Sequence, residues 1–87
     1  MTRRIFKYPL ELTDGDQLVK THGEAIARHV AMQNGTLCVW VECEPGEPEA
    51  KKFFRVYGTG HPIDDGYSWR GTAEDRQFVW HVCERNF

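Results

Sequence analysis

The sequence lacks any apolar run long enough to cross a bilayer. The two charges of Arg3-Arg4 precede an apolar stretch that Lys7 and Glu11 interrupt, so no secretory leader pattern opens the chain. The expectation is a soluble protein with no membrane partner. Charge of one sign is lacking too: 11 Lys and Arg stand against 13 Asp and Glu, a formal net charge of −2. General nucleic-acid binding needs a basic excess to displace phosphate counterions, so that class is excluded. A strongly acidic DNA mimic is excluded by the same balance.

Cysteine is scarce and odd in number, with Cys38, Cys43 and Cys83 making 3. Their spacing shows no disulfide framework, and Cys38 and Cys43 are too far apart for a CxxC ligand pair. They read as buried free thiols in a reducing cytoplasm. A zinc site borrowing His29 or His81 is the competing reading. Catalytic constellations are also lacking. No HExxH or His-x-His occurs, no Ser or Thr sits in a nucleophile-elbow context, and Asp64-Asp65 reads as a turn pair. Binding rather than catalysis is expected, with no metal and no cofactor.

What is present is a globular composition, 40% hydrophobic and 13% aromatic over 87 residues. That length fits one domain, residues 1–87, whose core is modest enough that self-association is a common remedy. The chain reads as short strands. Phe6, Tyr8, Leu10 and Leu12 alternate with Lys7, Pro9 and Glu11, the two-residue period of a half-buried strand. Pro9 cannot donate to a ladder, which places this strand at an edge or bends it. Turn chemistry at Thr13-Asp14-Gly15-Asp16 separates it from a short strand over Gln17 to Lys20.

The segment after Thr21 supports two readings. Thr21-His22-Gly23-Glu24 has the form of a capping box, with Ala25, Ile26, Ala27, Val30 and Ala31 on one side of a helix. Against it stands Asn34-Gly35, the strongest short hairpin signal. Folded about that turn, Met32 meets Leu37, Val30 meets Val39, Arg28 meets Val41 and Ile26 meets Cys43. On the other face Ala31 meets Cys38, His29 meets Trp40 and Ala27 meets Glu42. The hairpin is preferred, because a helix would leave Thr36 to Glu44 without a neighbour. Arg28 on an apolar face is the odd residue in this register.

Glu44-Pro45-Gly46-Glu47-Pro48-Glu49 reads as an exposed, mobile connection. Lys51 to Tyr57 carries aromatics on both faces, as a central strand does. Tyr67 to Thr72 follows as a short strand, then a turn at Glu74-Asp75-Arg76 and a last strand over Gln77 to Glu84. The fold class is therefore all-β, or β-rich with one short helix. It is a compact antiparallel β-sandwich or small barrel of about seven short strands.

The most site-like segment is Tyr57-Gly58-Thr59-Gly60-His61-Pro62. Its glycines allow a ligand close to backbone N–H groups, and Thr59 and His61 carry hydrogen-bonding side chains suited to an anion. It is neither a Walker loop nor a dinucleotide fingerprint; a turn needing Gly for its backbone angles is the plainer account. Trp69 and Arg70, beside Tyr67, are the platform that stacks a purine and holds its phosphate, or else a core residue next to a surface charge. The candidate ligand-binding set is Tyr57, Gly58, Thr59, Gly60, His61, Trp69 and Arg70. His29 and His81 read as packed, hydrogen-bonded side chains rather than catalytic bases.

Phe6-Lys7-Tyr8-Pro9-Leu10-Glu11, Gln33-Asn34-Gly35 with Cys38 and Trp40, Gly58-Thr59-Gly60-His61-Pro62-Ile63, Gly71-Thr72 and Phe78-Val79-Trp80-His81-Val82-Cys83-Glu84 together resemble a family of small uncharacterised proteins encoded by tailed phages and prophages. The resemblance spans nearly the whole chain and brings no catalytic residues with it. It implies an accessory viral protein in the cytoplasm of a host bacterium. Such a setting suggests host immune evasion through an oligomeric sponge for a phosphorylated nucleotide signal. The alternatives are a protein-binding, anti-CRISPR-like inhibitor of a host defence factor and a virion structural or assembly accessory.

Overall fold

The computed structural model describes residues 2–87. Seven strands follow in order: β1 (Arg4–Leu10), β2 (Gln17–His22), β3 (Ile26–Gln33), β4 (Thr36–Cys43), β5 (Glu49–Gly58), β6 (Tyr67–Asp75) and β7 (Phe78–Arg85). Among the described residues there is no helix, so the capping-box reading of Thr21 to Glu24 gives way to strand β2 and a turn. The strands form two antiparallel sheets, ordered β1-β4-β3 and β2-β5-β7-β6. The sheets stack into a sandwich 16 Å across its shortest dimension. They keep separate edges and do not close into a barrel. Pro9 lies in edge strand β1, and the aromatic-rich β5 lies between β2 and β7.

Alternation along each strand builds the core. Leu37, Val39 and Val41 of β4 meet Phe54 and Val56 of β5 and Val82 of β7 in one buried cluster. All three cysteines are free and buried. The sheets come close where β3 passes β6, because Gly71 has no side chain: a Cβ there would stand 2.6 Å from the Cβ of Val30.

The β3–β4 hairpin turns at Asn34 and Gly35, both left-handed at φ 50° and 79°, the pair of angles a type I′ turn needs. Met32 opposes Leu37, Val30 opposes Val39, Ala31 opposes Cys38 and His29 opposes Trp40, as the sequence predicts. Beyond His29 the predicted register fails. A bulge at Arg28 moves Ala27 opposite Val41 and Ile26 opposite Glu42. The extra residue is the arginine that had no place on an apolar face, and its guanidinium reaches the Glu42 carboxylate at 2.9 Å.

Two further expectations change. The Glu44–Glu49 connection is tied down: Glu47 N donates to Glu44 O at 2.9 Å, and Gly23 N donates to Pro48 O at 2.9 Å. The β6–β7 turn falls at Arg76-Gln77, later than predicted, with Arg76 left-handed at φ 59°.

The connection from β5 to β6 shapes the functional region. Both strands pair antiparallel with β7, which lies between them, so β5 and β6 run parallel. Gly58 ends beside Trp80, whereas Tyr67 begins beside Arg85. Thr59–Gly66 must therefore run back along β7 rather than turn in a simple hairpin.

Candidate functional site

The crossing starts in a tight turn. His61 N donates to Gly58 O at 3.2 Å, and Gly60, third of the four turn residues, has φ +89°. That is type II geometry, in which the third position calls for glycine. The His61 ring then folds over Gly58, whose amide donates to His61 Nδ1 at 3.3 Å. A Cβ on Gly58 would stand 3.1 Å from the His61 ring, so a larger residue there would push the ring aside by a few tenths of an ångström.

The turn delivers Thr59 to the outward face of the four-stranded sheet. There its Oγ1 lies 2.9 Å from His81 Nε2. The other ring nitrogen, Nδ1, is 2.9 Å from Thr72 Oγ1, and Thr72 Oγ1 accepts from Trp69 Nε1 at 3.0 Å. Trp69, Thr72, His81 and Thr59 thus form one hydrogen-bonded chain. The indole N–H donates to Thr72, and the direction of the two contacts to the His81 ring is set by its tautomer. Thr59 stands at the exposed end of the chain of hydrogen bonds.

A concavity of about 200 Å³ opens against this chain, lined by Tyr57, Gly58, Gly60, His61, Ile63, Trp69 and His81. A second, of about 460 Å³, adjoins it and is lined by Thr59 and His61 together with Phe78 and Trp80. The Phe78 and Trp80 rings stack at 5.9 Å, and Trp80 Nε1 is buried without a protein partner. Six of the seven predicted residues come together here, with Trp69 exposed at 60% rather than in the core.

Arg70 does not join them. Trp69 opposes Cys83 and Gly71 opposes Val82, so Arg70 is the extra residue of a second bulge. Its side chain turns away from Trp69, and Nε donates to Glu84 Oε1 at 3.0 Å. Sequence neighbours on a strand point to opposite faces, which is why the expected aromatic–guanidinium platform splits.

Other guanidinium groups do lie on rings of this face. Arg55 Cζ is 4.6 Å from the Tyr67 ring centre and Arg85 Cζ is 3.9 Å from that of Phe53. Asp16 gathers them, accepting from Tyr67 Oη at 2.7 Å and Arg85 Nη1 at 2.8 Å and pairing with Arg55 Nη2 at 2.9 Å. The Tyr67 hydrogen bond and the two cations outweigh burial and hold the Asp16 carboxyl below its ordinary range. Asp64, read from the sequence as a turn residue, binds Arg55 Nη1 at 2.5 Å and accepts from Tyr57 Oη at 3.1 Å. Burial is the main cause of the raised Tyr57 phenol pKa.

Sequence reasoning missed the roles of Thr72 and Asp16. Gly71-Thr72 was visible only as a motif, and nothing local pairs Asp16 with Tyr67, 51 residues away. The zinc alternative finds no support in its histidines: His29 packs at 5.4 Å against Trp40, and both ring nitrogens of His81 are engaged. Among the described residues no group of three or more His, Cys, Asp or Glu comes together as a metal site.

None of the curated proteins and none of the solved structures compared with the chain matches it. Over residues 1–87 it matches one family, and the chain belongs to that family, described as Domain of unknown function (DUF7352).

Proposed function

We propose that this is a small phage-encoded accessory protein that acts by binding a flat, phosphorylated small ligand, a nucleotide signal of the host's immune response. It works in the cytoplasm of the host bacterium and sequesters the ligand as a homo-oligomer. One observation carries the reading: Tyr57, Gly58, Gly60, His61 and Trp69 line a single concavity with His81. An exposed indole offers a stacking face for a base, worth about 1–3 kcal/mol per stacked base. The Thr59 hydroxyl and the amides of the turn offer neutral donors to acceptor atoms.

The test is a melting-temperature series with linear and cyclic nucleotides. A ligand present at a hundred times its dissociation constant adds about 2.7 kcal/mol of stability. One nucleotide should raise the melting temperature of the parent and not of Trp69→Ala. No rise with any of them refutes the reading.

A second reading is a protein-binding inhibitor of a host defence factor. It is favoured by the exposure of Ile63 at 49%, Trp69 at 60% and Phe87 at 77%, the last with Arg85 Cζ 5.0 Å from its ring centre. Trp, Tyr and Arg are the residue types that dominate binding energy at protein interfaces. No observation favours a virion structural role.

A further inference from the structure

Glu84 is 9% exposed, the only buried acid among the described residues. Two cations hold it. Lys52 Nζ lies 2.6 Å from Oε2 and Arg70 Nε lies 3.0 Å from Oε1. A carboxylate cancels one positive charge, so the cluster keeps a net charge of about +1 between the sheets.

The donors are not used up. Arg70 spends Nε on Glu84 and Nη1 on the Trp69 carbonyl at 3.3 Å, which leaves Nη2 with no hydrogen bond among the described residues. Lys52 makes one hydrogen bond, to Glu84, of the three its ammonium can donate. Against these groups lies a cavity of about 280 Å³, walled on its other side by Ala25, Ile26 and Ala27. Liquid water takes about 30 Å³ per molecule, so a small oxyanion fits with room to spare. The apolar wall lowers the local dielectric and strengthens attraction to the surplus charge.

We propose that Arg70 and Lys52 form a binding site for a small oxyanion, a phosphate or a carboxylate. Glu84 orients the two cations from behind, and the anion sits on Arg70 Nη2 and the free protons of Lys52 Nζ. This site is separate from the Thr59–His81 concavity. Trp69, Thr72 and His81 share the outward face of the four-stranded sheet, whereas Arg70 turns to Glu84 on the opposite face.

The experiment titrates the intact protein with inorganic phosphate, and separately with acetate, at constant ionic strength held by chloride. The Arg70 Nε–H and Lys52 side-chain signals are followed by NMR. Saturable shifts of both, with either anion, are expected; the stronger of the two identifies the source class. Arg70→Gln and Lys52→Gln should each weaken binding about tenfold, the size of one charge-assisted hydrogen bond. Arg28→Gln, on the other sheet, should leave it unchanged. If either glutamine variant fails to fold, the titration of the parent decides alone. No saturable shift with either anion, shifts matched by chloride alone, or unchanged affinity in folded Arg70→Gln and Lys52→Gln would overturn the assignment.

Discussion

Thr59 and His81 meet at 2.9 Å across 22 residues of sequence, and their contact joins the β5–β6 crossing to the central strand β7. The contact follows from topology. A segment returning along β7 has to pass its outward-facing side chains, and Thr59 is the first residue after β5 that can bond one. Thr59→Val keeps the shape and removes the hydroxyl, leaving His81 Nε2 one partner short. It should weaken ligand binding about fivefold to tenfold while costing about 1 kcal/mol or less of stability, since Thr59 is exposed. Calorimetric titration and denaturant melts separate the two effects.

Asp16 is the second expected point of sensitivity. Its folded carboxyl titrates below the ordinary value because Tyr67, then Arg55 and Arg85, hold the charged form. A depressed carboxyl contributes stability above its unfolded pKa of about 3.9 and loses it as pH falls through the folded value. Glu42, lowered chiefly by its hydrogen bond from Arg3, acts in the same direction. Stability should therefore fall as pH drops below about 4. Asp16→Asn should be less stable at pH 7 by about 1–2 kcal/mol and lose less on acidification. Urea melts at pH 7 and pH 3 measure both; parallel losses in parent and variant would contradict the assignment.

Gly71 is required by packing. A Cβ there would meet Val30 Cβ at 2.6 Å and Cγ2 at 2.7 Å, so Gly71→Ala should destabilise by about 1–3 kcal/mol through overpacking. Val30→Ala combined with it should not recover that loss, because the Val30 Cβ, the nearest atom at 2.6 Å, stays in place. A thermal melt of the single and double variants checks the pair.

Thr21 is fully buried, and its hydroxyl has no partner among the described residues. Thr21→Val keeps the volume and removes an unsatisfied polar group, so stability should rise by about 1 kcal/mol. A fall in the urea midpoint would mean that the hydroxyl is satisfied in solution.

Much of the sandwich was legible in the sequence because its signals are local. Asn34-Gly35 dictates a turn whose flanks pair residue by residue out to His29 and Trp40. The alternation from Phe53 to Tyr57 marks a central strand. What escaped is non-local or depends on one residue. The bulges at Arg28 and Arg70 shift the register; no Gly or Pro adjoins the first, and Gly71 beside the second was read only as part of a motif. Each allows a cation to reach a carboxylate, Glu42 in one case and Glu84 in the other. The insertion of β7 between β5 and β6 is a pairing between distant segments. No periodicity along either strand encodes it, and it sends Thr59–Gly66 across the sheet. That is why the loop residues and Trp69 converge while Arg70 leaves.

Self-association belongs to the proposed sequestration. Among the described residues four strand edges stay unpaired, on β1, β3, β2 and β6, and open edges favour a symmetric partner. Sedimentation at micromolar concentration should give a species heavier than 10.1 kDa. A clean monomer that still binds nucleotide would remove the oligomer and keep the site.

The most direct test of the central claim is a titration of ¹⁵N-labelled protein with the panel of linear and cyclic nucleotides, read residue by residue. The account predicts that at least one nucleotide produces saturable shifts centred on Gly58 to His61, the Trp69 indole N–H and His81. It also predicts that Thr59→Val and Trp69→Ala weaken them. Shifts confined to other residues, or none with any nucleotide, would contradict it.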